Sequence, residues 1–172
     1  EGELEHFKRF VVTESGVSPA TTPGTKGGGF SATGIEHGED CELSYEPDNH
    51  RRMSEKRWRK MKLVLQGPDL FRRHGPLDAD IGIVGWGSSE GVIREAVQAA
   101  NAKGVRVAAF HPKVLHPMPA ELGDFIRSVK TVIVPELNYT GQFAKEIRAR
   151  HLMDVVQLNK VAGLPFTPNE IL

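Results

Sequence analysis

The chain has 172 residues, 39% of them hydrophobic and 26% charged, with 22 basic and 22 acidic side chains giving a formal net charge of zero; this is the make-up of an ordinary folded domain with a sizeable core. No apolar run approaches the roughly 20 residues a membrane-spanning helix needs, which excludes membrane insertion as an expectation, and the single cysteine, Cys41, excludes an intrachain disulfide. A cytoplasmic protein is expected, and the start at Glu1 without a signal-peptide pattern reads as a piece of a longer polypeptide.

Residues 1–47 carry nine acidic and three basic groups and are rich in glycine and proline, with little apolar periodicity. Apart from a candidate strand over 10–13 they read as an irregular arm, the tail of a preceding domain, which packs on something outside this chain. Residues 48–74 reverse the charge, with nine basic groups and three acidic ones. A helix is predicted after Pro47, with Asp48 as its cap and Trp58, Met61 and Leu65 on one side, linking the arm to the rest. Its basic belt, Arg51, Arg52, Lys56, Arg57, Arg59, Lys60 and Lys62, reads as a solvated face that pairs with the acidic arm. An acidic partner, a phosphate or nucleic acid are the alternatives the charge leaves open, and no nucleic-acid partner is assigned.

Residues 75–172 alternate short β-rich runs with amphipathic runs of helix length, the pattern of a parallel α/β sheet. Strands are predicted over 80–85, 105–110, 131–134 and 155–158. The first is followed by a helix carrying Val92, Ile93, Ala96, Val97 and Ala100 at helical spacing, with Ser88 and Ser89 as its caps and Gly104 as its left-handed stop. Leu122, Phe125, Ile126 and Val129 mark a second helix, and Phe143, Ala144 and Ile147 a third over 141–152. Residues 165–172 read as a tail or a last short helix capped at Thr167 or Asn169. Right-handed crossovers would cover both sheet faces, so the predicted fold class is a three-layer α/β/α sandwich with a mainly parallel sheet plus the irregular N-terminal arm.

The loops after the predicted strands hold the candidate site. Gly85-Trp86-Gly87-Ser88-Ser89-Glu90-Gly91 lies where a strand turns into a helix, the place where open α/β sheets bind ligands, so Gly85, Gly87, Ser88 and Ser89 are candidates for anion or interdomain contact. The string lacks the dinucleotide spacing and the lysine of a P-loop, so a tight strand-to-helix turn in which glycines permit close packing is the preferred reading. Glu136 and Asn138 follow the next strand on the same edge, where His111 and His116 also fall, and a histidine with a carboxylate could serve as acid and base or as partner contacts. Glu36, His37, Glu39, Asp40 and Cys41 lie too irregularly for a metal set, and no feature marks Cys41 as an activated thiol, so no metal ligand and no catalytic residue is assigned.

Specific strings resemble a known family. Ser18-Pro19, Pro23-Gly24, Ser31-Ala32-Thr33-Gly34-Ile35-Glu36-His37-Gly38-Glu39-Asp40 and Pro47-Asp48-Asn49-His50-Arg51-Arg52-Met53 are similar to the segment joining two core domains in alpha subunits of 2-oxoacid:ferredoxin oxidoreductases. Gly85-Trp86-Gly87-Ser88-Ser89-Glu90-Gly91, Pro135-Glu136-Leu137-Asn138 with Gly141-Gln142, and Gly163-Leu164-Pro165-Phe166-Thr167 resemble the second core domain, itself like the carboxy-terminal domain of transketolase. The Glu36-His37 stretch resembles the 2-oxoglutarate branch best. The resemblance implies oxidative decarboxylation of a 2-oxoacid to its acyl-CoA, with thiamine diphosphate, Mg and a [4Fe-4S] cluster in the complete enzyme, none of them bound by this segment alone. It implies as partners a preceding alpha-subunit domain, a beta subunit, ferredoxin and CoA, and leaves a homo-oligomer open. The segments expected are the arm 1–47, a basic linker helix 48–74 and the α/β domain 75–172, with a framework role. The alternative is a free-standing module holding an anionic or nucleotide ligand on the glycine turn, and a third reading docks acidic ferredoxin on the basic helix.

Overall fold

The computed structural model describes residues 4–172, so the first three residues of the expected arm lie outside the described residues. Contacts divide the chain into two compact units, one ending at Gln66 and the other beginning at Gly67. The helix that follows Pro47 falls in the first unit, where it packs with the arm.

In the first unit, α1 (Pro47–Lys62) begins at the extended residue Glu46, with Pro47 in the first helical position and Asp48 inside the first turn instead of at the cap. Proline is suited to that position because its missing N–H has no intrahelical acceptor there, and an acidic group in the first turn complements the helix dipole. The buried side chains of α1 are Met53 and Lys56, whereas Trp58, grouped with Met61 and Leu65 on one side of the predicted helix, is 52% exposed. Lys56 is buried because its Nζ lies over the ring of Phe10, 5.8 Å from the centroid, and donates a 2.6 Å hydrogen bond to the Phe10 carbonyl. The arm lies close against the helix at Gly16 (φ +80°), where a Cβ would sit 2.5 Å from the Lys56 carbonyl oxygen. The strand expected over 10–13 does not form: the Phe10 amide donates to the Glu39 carbonyl and the Val12 amide to the Glu39 carboxylate, leaving no ladder to a neighbour. Phe10 instead stacks on His37 at 3.8 Å and meets Phe30 edge-on at 6.3 Å. Part of the basic belt does pair with the acidic arm, since Arg57 donates two hydrogen bonds to Glu36 (3.0 and 2.8 Å) and Arg52 lies 3.3 Å from Glu39.

The second unit is built on a five-stranded sheet ordered β1-β3-β2-β4-β5, comprising β1 (Phe71–His74), β2 (Ile81–Val84), β3 (Val107–Pro112), β4 (Thr131–Glu136) and β5 (Val156–Asn159). All neighbours run parallel except β1, which pairs antiparallel with β3 from Phe71 opposite Pro112 to His74 opposite Ala109. Both faces are covered. On one, Ala108, Phe110, Val132 and Val134 meet Leu122, Phe125 and Ile126 of α3 (Ala120–Ser128) and Phe143, Ala144 and Ile147 of α4 (Gln142–His151). On the other, Ile83, Val107 and Ala109 meet Ile93, Ala96, Val97 and Ala100 of α2 (Glu90–Ala102), together with Phe166 and Ile171. Every residue of β3 is buried, and Val107, Ala108, Ala109 and Phe110 alternate between the two cores, the demand a central strand covered on both faces makes. The short α5 (Pro168–Ile171) ends the chain, its Thr167 and Glu170 forming a capping box. No helix among the described residues is long and apolar enough to cross a membrane.

Two outcomes follow from this packing. Phe110, 1% exposed, stacks on Phe71 at 4.6 Å and leans on Phe125 at 5.5 Å. Phe110→Ala should lower the unfolding free energy in urea by about 3–5 kcal/mol. In the first unit the Arg57 hydrogen bond, against an opposing effect of partial burial, holds the Glu36 carboxyl at about 2 instead of the usual 4.5. A carboxyl held low contributes stability that is present above its ordinary value and lost as pH falls toward the folded one. Thermal stability should therefore decline from about pH 4.5 to about 2, and Glu36→Gln should flatten that part of the profile.

Candidate functional site

From β2 the chain steps to β3 on one side of the sheet and returns through α3 to β4 on the other, so the order reverses between β2 and β4. The carboxyl ends of these strands flank the crevice in which doubly wound sheets hold ligands. A small cleft of about 100 Å³ lies there, lined by Gly87, Ser88 and Ser89 from the turn after β2, by Glu136 and Leu137 from the end of β4, and by Trp86 and Phe166. A second cleft, of about 330 Å³, lies on the far side of Trp86 and Gly87 and is lined by Glu90, His111, Lys113 and Leu115.

Glu136 is 2% exposed, and its carboxylate is fully engaged. One oxygen accepts the Phe143 amide and the Asn138 side-chain amide, both at 2.9 Å, and the other accepts the Ala144 amide at 3.0 Å. Asn138 in turn accepts the amides of Thr140 (3.2 Å) and Gly141 (2.7 Å). The two side chains thus satisfy the donors at the start of α4, which would otherwise be orphaned in a buried position. A carboxylate there also complements the positive end of the helix dipole.

The turn after β2 is held by packing. A Cβ on Gly85 would fall 2.0 Å from Cδ1 of the buried Ile93, so this glycine lets β2 run directly into α2. Gly87 has a left-handed φ of +63°. The serines do not cap α2 through their side chains as expected; the Ser89 hydroxyl donates 2.8 Å back to the Trp86 carbonyl, and Ser88 is exposed. The first turn of α2 contains Glu90 instead, which receives His74 Nε2 at 3.1 Å. Partial burial pushes the Glu90 carboxyl up, but the His74 hydrogen bond and the neighbouring His111 and Arg72 outweigh it and hold it below the usual range.

His111 and Glu136, which the sequence places on one edge, line different clefts and form no acid–base pair. The carboxylate acting on His111 is Glu90. His111 is 4% exposed, its Nε2 contacts the Gly87 carbonyl at 3.2 Å, and its Nδ1 is buried without a partner. Burial holds this imidazole below its ordinary range, against the pull of Glu90. Sequence reasoning missed the His74–Glu90 contact because His74 lies on β1, a strand it did not predict. Glu90 itself stood inside the glycine-turn string.

Fold and edge together define an open, doubly wound α/β domain in which protein carboxylates sit at the starts of both edge helices, α2 and α4. The chain belongs to the pyruvate:ferredoxin oxidoreductase core domain II family, whose model matches residues 79–171. Among its relatives, the 2-oxoglutarate oxidoreductase subunit KorA of Mycobacterium tuberculosis is 39% identical over 150 residues, 87% of this chain and 23% of that subunit. Subunit alpha of 2-oxoacid:ferredoxin oxidoreductase 2 from Aeropyrum pernix is 32% identical over 170 residues, 96% of this chain and 26% of that subunit. In three dimensions the chain is similar to the 2-oxoglutarate:ferredoxin oxidoreductase of Magnetococcus marinus, a structure with 2-oxoglutarate, coenzyme A and succinyl-CoA bound, at TM-score 0.82 and 42% identity over 97% of this chain and 30% of that one. The chain thus spans about a quarter of the length of the curated relatives it matches.

If Glu136 is the cap of α4, Glu136→Ala strands the buried amides of Phe143 and Ala144, at about 1–3 kcal/mol for each. Urea unfolding should register that loss, with faster hydrogen exchange at both amides. Glu136→Gln, which keeps an acceptor but no charge, should fall between the two.

Proposed function

We propose that this chain is the carboxy-terminal part of the alpha subunit of a thiamine-diphosphate-dependent 2-oxoacid:ferredoxin oxidoreductase of the 2-oxoglutarate type, working in the cytoplasm. There it acts as a framework and assembly domain while the reaction proceeds on other segments. The complete enzyme would decarboxylate the 2-oxoacid oxidatively, transferring the acyl group to coenzyme A and the electrons to ferredoxin. The observation that carries this reading is the 42% identity and TM-score of 0.82 to the 2-oxoglutarate:ferredoxin oxidoreductase of Magnetococcus marinus over 97% of the chain.

The residues of the chain support the framework role. An iron–sulfur cluster usually takes four thiolates, and Cys41 stands alone. Among the described residues no group of three or more His, Cys, Asp or Glu side chains is placed to hold a metal ion. The helix starts that could cradle a diphosphate already carry Glu90 and Glu136, which would meet its charge with like charge. On this reading thiamine diphosphate, magnesium and the cluster belong to the preceding alpha domain and the beta subunit of the complete enzyme.

The same edge is furnished for protein contact. Leu137 and Tyr139 after β4 are 46% and 84% exposed, and Val161 and Leu164 after β5 are 69% and 73% exposed. Clustered exposed apolar side chains mark surfaces that are covered in an assembly. Co-expression with the preceding alpha domain and the beta subunit should give a complex with 2-oxoglutarate-dependent electron transfer that none of the pieces has alone. Tyr139→Glu should weaken that association about tenfold or more while the circular dichroism of the chain stays unchanged, as expected for loss of a buried aromatic contact. Failure of the chain to associate with either piece would contradict the proposal.

A further inference from the structure

The basic belt of α1 is only partly explained by its pairing with the arm. Arg57 and Arg52 face Glu36 and Glu39, but the helix also turns Lys56 and Lys60 toward a pocket of about 210 Å³ between α1 and the arm. Arg9, Lys56, Arg57 and Lys60 line this pocket with Ser18 and His37, and no carboxylate lines it. Each cation is differently placed. Arg57 is held by Glu36, and Arg9 donates to the Pro19 carbonyl while lying over the rings of Phe10 and Phe30. Lys56 is 6% exposed and has one neutral acceptor, the Phe10 carbonyl. Lys60 has no acidic partner among the described residues. An ammonium desolvated beside like charges is costly unless an anion joins it. Burial, together with repulsion from Lys60, Arg9 and Arg57, lowers the Lys56 value, with Glu39 opposing.

From the pocket lined by four cations and no carboxylate, with the buried Lys56 beside Lys60, we infer an oxyanion site that takes a phosphate-sized anion. Its volume lies below the roughly 300–1,000 Å³ of pockets that enclose a drug-sized ligand. The occupant is thus inorganic phosphate or the phosphoryl end of a larger molecule whose remainder stays outside. This inference stands on the first unit alone and is independent of the proposed enzyme.

The test is calorimetric titration of the 172-residue chain with inorganic phosphate, against chloride at matched ionic strength. Saturable binding is expected, weakened about tenfold or more by Lys60→Gln, with Arg9→Gln as a second variant expected to act in the same direction. Lys60 is exposed, so its replacement leaves the packing of the arm in place. Lys62→Gln, an exposed cation of α1 outside the pocket, should leave binding unchanged. Ribose 5-phosphate added in competition separates the sources: displacement of phosphate supports a site for a carried phosphoryl group, and its absence supports a site for the free ion. Phosphate that behaves like chloride, or equal losses with Lys60→Gln and Lys62→Gln, would overturn the inference.

Discussion

The carboxylate of Glu136 is the interaction on which the organisation of the sheet edge depends. It ends β4 at the reversal of strand order and receives the Phe143 and Ala144 amides of α4. Hydrogen bonds to a charged group contribute about 1.5–3 kcal/mol each in proteins. With Asn138 taking further donors of the same helix start, α4 is tied to the sheet at the point where a ligand would otherwise find free N–H groups. A buried carboxylate whose oxygens are taken up in this way orients the helix it receives.

The turn after β2 is governed by a comparable constraint. Gly85 permits contact with Ile93, so α2 packs closely behind the turn and the cleft it leaves is small. Glu90 and its partner His74 then place a second carboxylate at the start of the neighbouring helix. The same elements that resemble a phosphate-binding turn in outline thereby disfavour an anion in their electrostatics. Anion-binding character lies in the first unit instead, where cations line a pocket that no carboxylate enters.

Much of the α/β unit was legible in the sequence because β2, β3 and β4 are short, nearly continuous β-rich runs and α2 and α3 bury residues at helical spacing. The antiparallel strand β1 was not, since Phe-Arg-Arg-His shows two exposed arginines between partly buried ends and its pairing with β3 is a long-range event. Glu136 and Asn138 were found as edge residues, but their roles depend on how α4 folds back over β4, which spacing alone does not reveal. In the arm, glycine and proline concealed an order built from Phe10, Phe30 and His37. Lys56 was read as part of a solvated face, yet the proximity of Phe10 buries it. In both units, long-range packing outweighed local pattern.

The central claim is that the edge of this sheet serves structure and assembly and leaves substrate to other segments. The most direct test is a structure of the assembled alpha and beta subunits with 2-oxoglutarate and coenzyme A bound, read for what touches Glu136, Asn138 and the turn from Gly85 to Ser89. The account predicts that these residues meet only their own helices and neighbouring protein. A substrate or cofactor atom within hydrogen-bond distance of any of them would contradict it.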